Sequence, residues 1–177
     1  MILDLRDLKG SREHIARRYA ASAFQAEADD DYVVAGPVNL SLDIGKDRAT
    51  YRLVGRLQTS LELTCGRCLE PFSVPIDVDV DLRYLPHVEN RGEGELEVEE
   101  DDLTTAYYKD EQIDLGQLVR EQLWLTLPMK PLCRDACKGL CPVCGTNLNV
   151  TSCGCDTRWA DPRLAPLKGL LDDADRK

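Results

Sequence analysis

The sequence predicts an α+β fold: an antiparallel β-sheet, open or barrel-like, with a few helices and a cysteine-rich C-terminal segment. Three observations predict it. Between Val38 and Arg83, apolar and polar residues alternate with the two-residue period of strands that bury one face. Helical spacing behind capping residues recurs near Ser11, Asp114 and Asp161. Of the eight cysteines, Cys65 and Cys68 fall between two of those strand-like runs and the other six follow Pro128.

Taken in order, Leu3, Leu5 and Leu8 predict a short first strand or extended arm. Gly10-Ser11 ends it and caps a helix over 11–24, with Ile15, Tyr19 and Ala23 on one face. Glu27 to Asp31 reads as a charged break. Val38, Leu40, Leu42 and Ile44 form a strand, and Gly45-Lys46-Asp47 reads as its hairpin turn. Tyr51 to Leu63 is long enough for one bent strand or two short ones, with Gly55 as the candidate bulge. Ile76, Val78, Val80 and Leu82 alternate with Asp77, Asp79, Asp81 and Arg83, a strand whose carboxylates face water rather than form an acid–base site. Residues 89–102 hold eight carboxylates and one arginine, an acidic loop. Thr105 to Tyr108 predicts a further strand. Asp114-Leu115-Gly116-Gln117 resembles a capping box, followed by Leu115, Leu118, Val119 and Leu123 at helical spacing, with Pro128 closing the segment. Trp124 and Leu127 are assigned to the core. Asp161-Pro162 starts a last helix with Leu164, Leu167, Leu170 and Leu171 on its apolar face.

Composition narrows the function classes. At 177 residues, 43% hydrophobic and 31% charged, the chain has the profile of a globular protein. No apolar run reaches the roughly 18–20 residues that cross a bilayer, and the N-terminal residues lack a signal-peptide core. These features predict a cytoplasmic protein whose thiols stay reduced, which favours metal ligation over disulfides. A formal charge of −10 argues against indiscriminate coating of nucleic acid. Residues 128–168 are the exception, with six basic side chains against three acidic ones.

Cysteine spacing carries the chemistry. Cys65-Gly66-Arg67-Cys68 and Cys141-Pro142-Val143-Cys144 are C-x2-C pairs, Cys133 and Cys137 have three residues between them, and Cys153-Gly154-Cys155 completes the set. A C-x2-C turn can aim two sulfurs at one ion about 2.3 Å away, and two such pairs make a closed, structural, tetrahedral site. Soft thiolates favour zinc. The preferred grouping is Cys141, Cys144, Cys153 and Cys155 in one site, with Cys65, Cys68, Cys133 and Cys137 in the other. Two alternatives stand beside it. One groups Cys133, Cys137, Cys141 and Cys144, leaving Cys65 and Cys68 to join Cys153 and Cys155; the other is a single zinc with free cysteines. With two zinc ions on four thiolates each, the charge falls from −10 to about −14.

Other chemistries fit less well. Cys-Gly-Arg-Cys would suit a thiol-disulfide oxidoreductase only with a helix behind it, and Pro71-Phe72 opens strand-like sequence instead. An iron–sulfur cluster could use four of the cysteines, but C-P-x-C-G resembles a zinc knuckle. A nucleophilic cysteine would need a base, and His14 and His87, the two histidines, are far from every cysteine in sequence. There is no phosphate loop and no G-x-S-x-G.

Several of these residues together resemble a known family. They are Cys65-x-Arg67-Cys68-Leu69, Leu127-Pro128, Pro131-Leu132-Cys133, Cys137-Lys138-Gly139-Leu140-Cys141-Pro142-Val143-Cys144-Gly145, Asn147-Leu148-Asn149 and Asp161-Pro162-Arg163-Leu164. The pattern is similar to that of the YceD family, once a domain of unknown function, in its cysteine-rich type, and spans about Leu57 to Leu171. The resemblance implies a role in large-subunit ribosomal RNA accumulation or large-subunit assembly. The expected protein is a non-enzymatic zinc-binding factor that binds large-subunit precursor rRNA or a basic large-subunit ribosomal protein, with no membrane and no small-molecule substrate. The alternatives are a zinc-stapled protein–protein adapter without RNA contact, and an RNA-processing or thiol-redox enzyme. Arg67, Lys130, Arg134 and Lys138 are the candidate RNA or partner contacts. The expected organisation is a sheet domain over 1–127 and a zinc segment with a C-terminal helix over 128–177, packed on the first part through Cys65 and Cys68.

Overall fold

Apolar residues at alternate positions put a sheet and one helix around a shared core. The computed structural model describes residues 1–24, 31–87 and 104–156. They form two units: Met1–Thr64 with Pro71–Pro131, and Cys65–Glu70 with the described residues from Leu132 onward.

In the first unit, β1 (Ile2–Asp4) is followed by a 3-10 turn, Leu5–Asp7. Then come β2 (Arg12–Tyr19), a 3-10 turn (Ala21–Phe24), β3 (Tyr32–Val34), β4 (Val38–Asp47) and β5 (Thr50–Thr64). After β6 (Pro71–Pro86), β7 (Thr105–Tyr108) and β8 (Gln112–Asp114), the helix α1 (Leu115–Thr126) closes the unit. The main sheet runs β2-β4-β5-β6-β7, with β3 paired to the far half of β5, and β1 pairs with β8 in a separate ribbon.

The period-two pattern sets the register. Leu42 lies opposite Ile15 and Gly55, and Gly55 lies opposite Val80, so each strand turns the same face inward. Leu40, Leu42, Ile44, Leu53, Leu57 and Leu61 are almost fully buried, in one cluster with Leu115, Leu118, Val119 and Leu123 of α1. On the opposite face, Arg52 donates two hydrogen bonds to Asp81, at 2.9 and 2.7 Å, and Arg56 pairs with Asp77. The carboxylates of β6 are therefore a solvated, cross-strand-paired row. Asp114 caps α1 as expected, accepting from the Gly116 and Gln117 amides. The reciprocal half of the capping box is not made, because Gln117 Nε2 donates to Glu121 instead.

Several expectations are corrected. The helix over 11–24 is a strand followed by a 3-10 turn: Ile15 is the single fully buried residue of β2, which leaves a helix little to bury, whereas β4 offers an eight-residue ladder. The hairpin turn falls at Arg48-Ala49, not Gly45–Asp47, since Gly45, Lys46 and Asp47 still pair with Arg52, Tyr51 and Thr50. Gly55 is no bulge, because β5 pairs without interruption on both sides of it. The sheet is open rather than barrel-like, β2 and β7 being its ends, and β7 joins β6 in parallel. Among the described residues α1 is the one α-helix, where a few were expected. Trp124 keeps 45% of its surface exposed instead of entering the core. The acidic loop lies wholly outside the described residues, as do the helix expected from Asp161 and most of the charged break at 27–31.

Among the described residues of this unit, the turn from β7 to β8 is the one with two adjacent non-glycine residues in the left-handed region. Asp110 and Glu111 both sit at φ 55°, bracketed by the Lys109–Gln112 bridge. A two-residue turn of this hand favours Asn-Gly, because glycine enters the left-handed region without a Cβ clash. Converting Asp110-Glu111 to Asn-Gly is expected to raise the unfolding free energy by about 1 kcal/mol, read from the urea midpoint. An unchanged or lower midpoint would count against the strain.

Candidate metal centres

The eight cysteines all lie in the second unit, whose described residues form no conventional core. Among its described residues the buried hydrophobic side chains are Cys65, Cys68, Cys137 and Cys141. Among the described residues, it is sulfur rather than aliphatic side chains that these loops bury.

The two C-x2-C segments adopt one shared geometry. In the loop joining β5 to β6, the Leu69 amide donates to the Cys65 carbonyl at 2.9 Å and the Cys65 amide to the Glu70 carbonyl at 3.0 Å. In the other, the Gly145 amide donates to the Cys141 carbonyl at 2.9 Å and the Cys141 amide to the Thr146 carbonyl at 2.8 Å. Each turn needs a left-handed residue, Leu69 at φ 59° and Gly145 at φ 72°. The repeated turn aims both sulfurs of each pair the same way, as ligands of a single ion require.

The sulfurs gather into two groups, Cys65/Cys68/Cys133/Cys137 and Cys141/Cys144/Cys153/Cys155, each with its Sγ atoms within 4.8 Å of one another. That is the grouping preferred from spacing. Cys65 Sγ stands 3.8 Å from Cys137 Sγ, and Cys68 Sγ 3.8 Å from Cys133 Sγ. A disulfide would bring two sulfurs to about 2.05 Å. A tetrahedron with ligands about 2.3 Å from its centre has edges of about 3.8 Å. The donor set and its spacing thus fit a four-thiolate metal ion, and each group could hold one.

Electrostatics point the same way. In the first group, hydrogen bonding from the Cys133 backbone holds the Cys65 thiol down at about 6, while burial pushes Cys133 up to about 12. In the second, the Thr146 hydroxyl, 3.1 Å from Cys144 Sγ, holds Cys144 at about 6, while its neighbour Cys144 drives Cys155 to about 12. Four thiols packed this closely cannot all ionise without a cation to offset the repulsion.

Residues around the first group brace it. Arg67 accepts from the Leu140 amide at its carbonyl, and its guanidinium donates to the Cys137 carbonyl at 2.9 Å and the Asp135 carbonyl at 3.3 Å. Gly139, at φ 72°, lies so close that a Cβ there would stand 3.0 Å from the Arg67 carbonyl oxygen. Asn149 was noted in sequence only within the family pattern, yet it ties the most partners. Its Oδ1 accepts from the Lys138 amide and the Arg134 guanidinium, both at 2.9 Å, and its Nδ2 donates to Cys137 Sγ at 3.4 Å. Such outer hydrogen bonds orient ligands and tune a bound metal. No spacing rule signals them, because they depend on how the loop from 147 to 149 folds back.

Of the four candidate RNA contacts, Arg67 and Arg134 therefore spend their guanidinium groups on the unit itself. Lys138 is exposed nearby in the chain, whereas Lys130 belongs to the first unit. His14 and His87 also lie in the first unit, where His14 Nδ1 pairs with Asp43 at 2.8 Å.

An open, mainly β-sheet unit with a cysteine-built unit capable of holding two metal ions defines the class of protein. The chain belongs to the family described as large ribosomal RNA subunit accumulation protein YceD, which it matches over residues 53–171, a range that includes all eight cysteines. It is similar to the chloroplastic large ribosomal RNA subunit accumulation protein YCED homolog 1 of Zea mays, with 32% identity over 76% of this chain and 54% of that protein. The Arabidopsis thaliana homolog 1 is 26% identical over 91% of this chain and 57% of its own length. An uncharacterized Mycobacterium tuberculosis protein is 38% identical over 60% of this chain and 49% of its own. The chain thus spans little more than half of the curated relatives it matches. No solved structure matches it at a significant level. The family description names the accumulation of an RNA rather than a reaction. No helix among the described residues is long and apolar enough to cross a membrane.

Proposed function

We propose that this protein is a non-enzymatic, zinc-binding factor in large ribosomal subunit biogenesis that acts by binding precursor rRNA or a ribosomal protein. The observation that carries the ribosomal part is the family match, which takes in both cysteine groups. Zinc is the ion the donors favour, since soft thiolates in closed four-sulfur sites select it. A multi-iron cluster would spread the four cysteines over two or more irons, and sulfurs on different irons stand further apart than one tetrahedral edge. When bound, zinc would supply the cross-links that aliphatic packing does not. Reduced thiols suit the cytoplasm, where we place the protein.

Arg67, Lys130, Arg134 and Lys138 remain the proposed contacts to RNA, with the two lysines the ones to test, because reversing them leaves the Arg67 and Asn149 bracing intact. The deciding experiment is a pull-down of the tagged full chain from its own cells, with sequencing of the bound RNA and identification of the bound proteins. Large-subunit precursor rRNA or large-subunit ribosomal proteins are expected in excess over small-subunit components. Lys130→Glu with Lys138→Glu is expected to reduce the RNA share and its salt sensitivity. Equal recovery of both subunits, or of neither, would reject the assembly role.

A further inference from the structure

The first unit carries an open groove of about 630 Å³ between β3, the end of β5 and the segment that follows α1. Its apolar lining is partly exposed: Val33 keeps 52% of its surface, Trp124 keeps 45%, and Met129 is fully open. Trp124 is set edge-on to Tyr32, ring centroids 5.6 Å apart, so the indole is held in place rather than loose. Exposed, neighbouring apolar residues of this size mark interaction sites, and tryptophan, tyrosine and methionine are the side chains that anchor them.

Charge decides what fits. Asp31 and Glu62 line the groove, and among the described residues no basic side chain does. Neither carboxylate has an ion-pair partner among the described residues, whereas Asp43, Asp77 and Asp81 on the solvated sheet face are all paired. An aromatic platform can stack nucleic-acid bases, but two unneutralised carboxylates beside it repel a phosphate backbone. The same carboxylates attract lysine and arginine, and the apolar floor takes an aliphatic or aromatic anchor. We infer that this groove docks a basic polypeptide segment, one that places an apolar side chain against Trp124 and its cations beside Asp31 and Glu62. The inference rests on the proposed assembly role only in taking a ribosomal protein as the natural source of such a segment.

The test uses the full chain with Trp159→Phe, so that Trp124 is the sole tryptophan reporter. The probe is a short synthetic peptide with two leucines set among lysines, compared with the same peptide bearing glutamates for the lysines, and with an oligouridylate. The lysine peptide is expected to shift Trp124 emission in a saturable, salt-sensitive way. Asp31→Lys with Glu62→Lys is expected to weaken it at least tenfold. For Trp124→Ala, binding is followed by calorimetry, with a similar loss expected. Asp31, Glu62 and Trp124 border solvent, and matching thermal transitions would show that the variants fold. Three results would overturn the inference: no saturable binding, equal binding of the glutamate peptide, or displacement of the lysine peptide by the oligouridylate. Self-association abolished by Trp124→Ala would overturn it too, by making a second copy the occupant. A failure here leaves rRNA recovery in the pull-down unaffected, so the two readings fail separately.

Discussion

Native mass measurement is expected to show two zinc ions on the unaltered chain and one on a Cys65→Ser variant. Cys65 is fully buried, its sulfur lies 3.8 Å from Cys137 Sγ, and its amide and carbonyl both close the loop between β5 and β6. Replacing its sulfur would remove a ligand from the proposed zinc site, and binding of a structural zinc contributes folding free energy of order 10 kcal/mol or more. With few aliphatic side chains to fall back on, residues 133–149 are expected to lose protection from hydrogen exchange along with the metal. Cys153→Ser should differ in degree. Cys144 is exposed, and Cys153 and Cys155 are half-buried, while the braces from Arg67 and Asn149 reach only the first group. A chelator is therefore expected to draw metal from the wild-type chain in two phases, the fast one absent in Cys153→Ser. Retention of two ions by Cys65→Ser would refute the assignment of ligands, and a single release phase would refute the difference between the sites.

Gly55→Ala is expected to destabilise the first unit by about 3 kcal/mol or more, at the top of the range for overpacking. A Cβ at Gly55 would stand 1.9 Å from the Ser41 carbonyl oxygen and 2.8 Å from Leu42 Cα. Both are backbone atoms of β4, so no side chain can rotate away, and relief requires parting β4 from β5 at the centre of the sheet. Gly145→Ala is the natural control. Nothing lies within 4 Å of its missing Cβ, and only its φ of 72° opposes the substitution, a cost of about 1 kcal/mol. Urea unfolding of both variants checks the contrast, and a Gly55→Ala midpoint close to the parent's would refute the close approach of the strands.

Where a single physical rule decides the outcome, the chain is legible from sequence. The strict alternation from Ile76 to Arg83 could only be a half-buried strand, and the helix behind Asp114 follows from its cap and the leucines after it. Four sulfurs in two short-spaced pairs are likewise local enough for Cys141, Cys144, Cys153 and Cys155 to be grouped by loop length. Residues 12–19 show where that reasoning fails. Ile15 and Tyr19 fit a helix face or one face of a strand, and the choice was made by the free edge of β4, a partner distant in sequence. Gly55 looked like a bulge because a glycine within a strand usually signals an irregularity, whereas the need for it comes from the neighbouring backbone of β4.

By itself, then, the sequence determined the strand periods, the capped helix, the thiolate chemistry and the family. Each of these is written in residues close together in the chain or in a motif that spacing can read. The tertiary structure alone decided the strand order, the parallel β7, the open groove at Trp124 and the bracing of Cys137 by Asn149 and Arg67. Those depend on contacts between segments far apart in sequence, for which local propensity supplies no preference and only the joint burial of the whole unit selects a partner.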